Sequence, residues 1–288
     1  MIKEAMFYNS LKENLVHCVL CPHNCVIKEN DLGKCNVRKN IDGGLFTLNF
    51  GDISSISMDP IEKKPLHFYR EGTSILSVGS FGCNLKCSFC QNYSIAQIEE
   101  FSGNSNYASP ESLIETIIQN SDSIGIAFTY NEPSIWYEYV YEVSKLLKEK
   151  DKRKDVILIT NGFINEEPLK KLLQYVDAMN IDLKGFNNEY YNKICGGRLE
   201  PVLRTIEIAA KATHIEVTTL LVTGENDNLD EVENIAKFLS RIDKNIPLHL
   251  TRYFPTYKMD NPATDLNFMY KAKELAESYL NRVKLGNV

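Results

Sequence analysis

Three thiols within eight residues are the strongest chemical signal in this chain. Cys83-Asn-Leu-Lys-Cys87-Ser-Phe-Cys90 spaces them Cys-x3-Cys-x2-Cys, and no fourth cysteine stands nearby. Thiolates are soft ligands that select zinc or iron–sulfur centres. Structural zinc takes a closed set of four, whereas three leave a metal one open position. A four-iron cluster held by three cysteines keeps one iron free to bind another molecule. The alternative is a zinc knuckle that borrows a distant ligand.

A second group lies nearer the N-terminus. Cys18-Val-Leu-Cys21-Pro-His-Asn-Cys25 runs into Asp31-Leu-Gly33-Lys-Cys35, with proline and glycine supplying tight turns. Four thiols over so short a span can close one tetrahedral zinc site and fold a segment too small to hold itself together. The same ligands suit a second iron–sulfur cluster. Zinc is the favoured reading, because a closed even set needs no redox role. His17 and His23 are expected in turns or at the surface, since four thiolates fill the shell. Cys195 stands alone, in the glycine-flanked stretch Lys193-Ile194-Cys195-Gly196-Gly197-Arg198. A free cysteine is commonly a small buried hydrophobe. The sharper expectation makes Cys195 catalytic, a thiol near substrate that donates a hydrogen atom or steers a radical, with Arg198 pairing an anionic group.

Composition bounds what surrounds these thiols. The 288 residues are 43% hydrophobic and 24% charged, with a net charge of −6 and a pI near 5.5. That is enough chain for one large core. The acidic balance argues against a nucleic-acid surface. No apolar run has the length of a membrane span, and Met1–Met6 carries an acid at Glu4 where a signal peptide would not. A cytoplasmic protein is expected, in which eight cysteines mean metal or redox chemistry more than disulfides.

Elements must bring these groups together. Residues 1–72 read as a four-cysteine metal-binding unit and connector, with a small hairpin from Gly43 to Ser57 and an irregular link from Asp59 to Leu66. From residue 73 to 288 short apolar runs alternate with helical periods. The runs are Ile75–Gly79, Ile124–Thr129, Val156–Thr160, Ala178–Leu183, Ile215–Leu221 and Leu248–Tyr253. Nearly continuous apolar runs mark parallel strands buried on both faces. Between them, Pro133–Lys148, Pro201–Ala210, Asp230–Leu239 and Asp265–Leu280 carry amphipathic stripes. The expectation is an α/β fold, a partial (β/α)6 TIM-type barrel, whose chemistry gathers at the C-terminal strand ends.

Polar groups interrupt the runs at those ends. The first ends in the cysteine loop, the second in Thr129-Tyr130-Asn131-Glu132-Pro133, and the third in Thr160-Asn161-Gly162. The fourth ends in Asp182-Leu183-Lys184. The fifth carries Thr218 and Thr219, the sixth His249, Thr251 and Arg252. Each alone could be a cap or a turn, as Asn161-Gly162 and Asn131 illustrate. Together they outline a ligand site.

With these residues assembled, the chain resembles the radical S-adenosylmethionine (radical SAM) enzymes. The carriers are Gly82 through Asn92, with Phe128-Thr-Tyr-Asn-Glu-Pro133, Thr160-Asn-Gly-Phe163, Asn180-Ile-Asp-Leu-Lys184 and Arg198-Leu-Glu-Pro-Val-Leu203. Within them it is similar to the glycyl-radical activating type, such as pyruvate formate-lyase activating enzyme. Through Cys21-Pro-His-Asn-Cys25 and Asp59-Pro-Ile-Glu-Lys-Lys-Pro65 it resembles more closely the radical SAM component of the AmmeMemoRadiSam system.

The resemblance implies a [4Fe-4S] cluster on Cys83, Cys87 and Cys90, and SAM as cosubstrate. A reductively formed 5′-deoxyadenosyl radical would abstract hydrogen from a substrate that the motifs do not name. Glu132 or Asn131 would accept from the SAM amine, Asn161 and Asp182 would meet the ribose, and Lys184 would balance the carboxylate. Thr219 and, by family position, Asn92 complete the expected SAM contacts. An electron donor such as flavodoxin or ferredoxin is implied, with protein partners from the AmmeMemoRadiSam system. Two departures bear on substrate. Tyr130-Asn131-Glu132 stands where activating enzymes carry Gly-Gly-Glu, and Thr218 where an arginine is expected. The competing class is a non-catalytic iron–sulfur or zinc protein for electron transfer or binding. It accounts for seven cysteines but not for polar residues at five further strand ends.

Overall fold

Eight strands, taken in chain order, form one sheet in which each pairs with its sequence neighbours. The computed structural model describes residues 1–99, 101, 103 and 106–288. We number the strands β1 (Ser55–Pro60), β2 (Ser74–Gly79), β3 (Ser123–Phe128), β4 (Asp155–Thr160), β5 (Ala178–Asp182), β6 (His214–Leu221), β7 (Leu248–Arg252) and β8 (Val283–Gly286). β2 to β8 run parallel, and β1 lies antiparallel on β2. The six expected runs are β2 to β7. Most of their residues are buried, as Val, Ile, Leu and Ala in a sheet covered on both faces should be.

The two edge strands correct the sequence reading. β1 falls where a hairpin end and an irregular connector were expected, and β8 lies beyond the last expected strand. β1 buries only Asp59 fully, and Pro60 ends it at a place where an edge strand tolerates proline. β8 has four residues and buries only Val283. Neither carries the apolar run that announces an inner strand. The hairpin itself lies earlier, between Arg38–Ile41 and Gly44–Thr47. Asp42 and Gly43 turn it with φ of 50° and 78°, the left-handed pair that a two-residue hairpin requires.

Helices return the chain between strands. α1 (Pro110–Gln119) and α2 (Tyr137–Lys150) precede β3 and β4. α3 (Glu166–Leu172), α4 (Leu199–Ala209), α5 (Leu229–Ile242) and α6 (Leu266–Glu277) follow. A 3-10 turn at Pro133–Trp136 leads into α2, so the expected Pro133–Lys148 stripe is split, but Ile135, Trp136, Val140, Val143 and Leu147 are buried as one face.

Ahead of β1, two small antiparallel sheets hold the N-terminal cysteines, and a buried Arg38–Glu138 ion pair ties this region to α2. After β1 the chain passes beneath the sheet. The amides of His67 and Phe68 donate to Glu216 of β6 at 3.0 and 2.8 Å, and Asn180 of β5 donates to the Pro65 carbonyl at 2.9 Å. This plug carries Lys63 and Lys64 into the wall of the cavity described next.

Candidate active site

β2 ends at Gly79, and a side chain there would sit 2.8 Å from the Thr129 carbonyl and 2.9 Å from the Tyr130 ring. Glycine therefore lets the cysteine loop cross close to the end of β3. Asn131 then fixes that loop. Its Oδ1 accepts from the Ser80 amide at 2.9 Å, and its Nδ2 donates to the Gly82 carbonyl at 3.0 Å. Cys83, Cys87 and Cys90 all line one cavity of about 420 Å³ at the C-terminal ends of the strands.

The strand ends supply its walls, in the order the sheet dictates. Thr129 to Glu132 follow β3, and Ile159 to Asn161 end β4. Asp182 and Lys184 follow from β5, Thr218 and Leu220 from β6, and Thr251 from β7. Five of the expected SAM contacts after β3 to β5, namely Asn131, Glu132, Asn161, Asp182 and Lys184, therefore face one space, and Asn92 joins them. Thr219 does not. Side chains alternate across a strand, so Thr219 points to the opposite face, fully buried, with its hydroxyl donating to the Leu183 carbonyl at 2.8 Å. A ligand in the cavity meets Thr218 instead.

Several of these groups are already engaged. Glu132 is 2% exposed and accepts from the Thr160 hydroxyl, the Asn161 amide and the Ser134 amide at 2.7, 2.8 and 2.9 Å. Burial holds its carboxyl above the usual value, against the pull of those donors. Asn161 donates to Asn84 Oδ1 at 2.9 Å and lies 3.6 Å from the Cys83 sulfur. Asp182 and Lys184 pair at 2.6 Å. Burial opposes charge on Lys184, but Asp182 beside it holds the ammonium above its ordinary value. Asn92 donates to the Tyr130 carbonyl at 2.6 Å.

Some lining residues had no visible signal. Lys64 is 3% exposed, its Nζ 2.8 Å from Asp59 and 4.7 Å from the Tyr130 ring centre. Tyr130, at φ +71°, also donates its hydroxyl to Asp59 at 2.9 Å. A buried lysine in a proline-flanked connector is not a pattern that hydrophobic period can reveal. The nearest sequence clue was that Asp59 to Pro65 belongs to the family resemblance.

Among the described residues, no group of three or more His, Cys, Asp or Glu is set to hold one metal ion as it stands, the loop thiols and the four N-terminal thiols alike. Three thiols from one loop around an open cavity suit a polynuclear cluster, whose irons lie apart. Burial pushes Cys83 and Cys90 above the ordinary thiol value, while the neighbouring Cys195 thiol and then burial raise Cys87. Cluster loading would release these protons.

Cys18, Cys21, Cys25 and Cys35 share a separate pocket of only about 10 Å³ with Leu20, Ile27 and Ile135. Burial raises Cys21 to about 12 and Cys35 to about 11. His23 is half-buried between the two centres, bonding the Asn84 carbonyl at 2.7 Å and meeting Phe163 edge-on at 5.0 Å. Cys195 is fully buried and is absent from the cavity wall. Its neighbour is a candidate ligand, and Arg198 donates to the Pro22 carbonyl at 2.7 Å.

A mostly parallel α/β sheet with a three-thiol loop after its first parallel strand defines a radical SAM protein. Residues 77–239 match the Radical SAM superfamily, and the chain belongs to it. An uncharacterized protein of Methanocaldococcus jannaschii is 41% identical over 291 residues, covering 100% of this chain and 86% of its own length. A candidate glycyl-radical enzyme activating enzyme of the same organism is 30% identical over 254 residues, 81% of this chain and 85% of that one. Among solved structures, a domain of pyruvate-formate lyase-activating enzyme from Bacteroides vulgatus superposes with a TM-score of 0.50 at 19% identity. It covers 57% of this chain and 99% of that one. The protein is thus an enzyme of the radical SAM, activating-enzyme type, and membership implies a [4Fe-4S] cluster, SAM and a reductant. No described helix is long and apolar enough to cross a membrane.

Proposed function

We propose that Cys83, Cys87 and Cys90 hold the [4Fe-4S] cluster and that SAM occupies the 420 Å³ cavity beside it. The observation that carries this is the convergence of all three loop thiols and the ends of six parallel strands on one space. When bound, cluster and SAM supply one-electron cleavage of the sulfonium and a radical that abstracts hydrogen. The chain's own residues do the rest. Asn131 fixes the cysteine loop, Glu132 braces Thr160 and Asn161, and Asp182 with Lys184 presents a charge pair to the ligand. The strands on this reading curve as a part-closed barrel, with the Pro65–Phe68 plug closing the end away from the cysteines.

The four N-terminal thiols form a closed metal site on this reading. The four thiols line one common pocket, and a closed even set of thiolates that needs no redox role favours zinc. Action beside AmmeMemoRadiSam companion proteins is supported by the Cys21–Cys25 and Asp59–Pro65 stretches. Activation of a glycyl-radical enzyme is the second reading, favoured by the 30% identical relative. It would leave a glycyl radical on a large partner, visible by electron paramagnetic resonance (EPR).

Anaerobic reconstitution tests the core of the proposal. The reduced protein should convert SAM to 5′-deoxyadenosine, and Cys87→Ala should lose both the brown chromophore of this cluster and that product. SAM cleavage by the Cys87→Ala protein would remove the assignment.

A further inference from the structure

Lys86 stands inside the cysteine loop, directly before Cys87, and its side chain is exposed. Four stretches distant in the chain build the surface around it. The turn Tyr191–Cys195 is tied to the loop by two backbone hydrogen bonds. The Lys86 amide donates to the Cys195 carbonyl at 2.7 Å, and the Ser88 amide donates to the Ile194 carbonyl at 3.0 Å. Gly196 follows at φ +70°, with the Lys86 side chain 3.3 Å from where its Cβ would be. After β7, the Lys258 amide donates to the Ser88 carbonyl at 3.0 Å. The N-terminal unit adds the rest. His23 bonds the Asn84 carbonyl at 2.7 Å, Lys34 Nζ lies 3.5 Å from His23 Nδ1, and Arg198 donates to the Pro22 carbonyl at 2.7 Å.

These contacts gather four exposed cations about the loop: Lys34, Lys86, Arg198 and Lys258. Among the described residues none of the four has an ion-pair partner. Lysines on the helices differ: Lys145, Lys170, Lys237 and Lys273 each pair with a glutamate four residues away. Lys193, in the turn itself, is taken by Glu189 at 2.5 Å. The four cations also stand apart from the cavity, since none of them lines it. Their charge therefore serves something that approaches the cysteine loop from outside, not SAM or a substrate within.

A protein seated on Lys86 comes within one residue of a proposed cluster ligand, close to where an electron must enter. The chain as a whole carries a net charge of −6, so an acidic partner is repelled by most of its surface. A local group of unpaired cations draws such a partner to one spot and sets its orientation. Four side chains on an acidic protein are too small a basic surface for nucleic acid. We infer that Lys34, Lys86, Arg198 and Lys258 form the docking surface of the reductant, and that the reductant is a small acidic one-electron carrier protein. This rests on the cluster at the three loop thiols, as proposed above. The N-terminal metal unit then helps to build that surface, supplying Lys34 and holding Arg198 through Pro22.

Anaerobic binding of a flavodoxin to the reconstituted protein tests it, read as a dissociation constant. Lys34→Glu combined with Lys86→Glu should load as much iron as the wild type and bind about tenfold more weakly at low ionic strength. The difference should close near 1 M salt, where screening acts within about 3 Å. Lys211→Glu combined with Lys244→Glu makes the same charge change before β6 and β7, at the other end of the sheet, and should bind like the wild type. Formation of 5′-deoxyadenosine driven by flavodoxin should slow in the loop variant. The same reaction driven by photoreduced deazaflavin, small and uncharged, should not. Should the Lys86 variant fail to load iron, Lys34→Glu combined with Lys258→Glu carries the comparison. Equal affinities in the loop and control variants would overturn the inference and leave the cluster assignment standing. So would equal slowing with deazaflavin, or a cluster-bearing wild type that does not bind flavodoxin at low salt. A wild type that holds no cluster at the three loop thiols would overturn both.

Discussion

Glu132 makes more hydrogen bonds within the protein than a carboxylate waiting for a ligand needs. Three donors converge on it, two of them backbone amides. Replacing it with alanine strands the buried Asn161 amide, at about 1–3 kcal/mol for each buried donor left unpaired. Glu132→Ala should therefore lower thermal stability as well as SAM affinity. Asp182→Asn, which keeps a polar partner for the Lys184 ammonium at a half-buried edge of the cavity, should keep the iron content and most of the stability and weaken SAM binding. Calorimetric unfolding and equilibrium SAM binding, run on both variants, separate the roles. A Glu132→Ala protein as stable as the wild type but unable to bind SAM would make the carboxylate a direct contact and the bracing secondary.

At the scale of elements, the plug under the sheet predicts acid sensitivity. Glu216 of β6 takes two amides from residues 67 and 68 and lies 2.6 Å from His249 and 3.1 Å from His214. Burial alone would raise its carboxyl, but the bonds from His214, His249 and the Phe68 amide bring it to about 2 from an ordinary 4.5. A folded value below the unfolded one contributes stability that is whole above about pH 4.5 and lost as pH falls toward 2. The size is on the order of 3 kcal/mol. Glu216→Gln should be less stable than the wild type at pH 7 and should lose less between pH 5 and 2. Parallel acid profiles for the two proteins would contradict the assignment. The N-terminal unit offers a second measurement. Its site and the loop cluster together should yield about four irons and one zinc per chain. Eight irons would make the site a second cluster, and no metal beyond the first cluster would dispose of it.

Across the whole molecule, the cavity joins elements that are distant in the chain, from Lys63 to Asn287. A ligand there should stabilise the fold as a unit. SAM at a hundred times its dissociation constant should add about 2.7 kcal/mol to unfolding. The gain should appear as a raised melting temperature in reconstituted protein and vanish in Cys87→Ala. A loaded protein whose melting temperature ignores SAM would place SAM elsewhere.

What could be read from residues alone followed from local chemistry and period. The Cys-x3-Cys-x2-Cys spacing selected its metal class, and six apolar runs marked the inner strands, because a strand buried on both faces must be apolar throughout. Asn131, Glu132, Asn161, Asp182 and Lys184 stood out because each interrupts such a run at its carboxyl end. The edges β1 and β8 were silent, since an edge strand need bury little. Thr218 and Thr219 are adjacent in sequence, and only the strand's register decided which one faces the cavity. Lys64 entered the cavity wall, and Cys195 left it, through contacts made across many residues: the plug on Glu216 and the turn on Lys86 and Ser88. Long-range packing of this kind leaves no period in the sequence, so the tertiary structure alone assigns it.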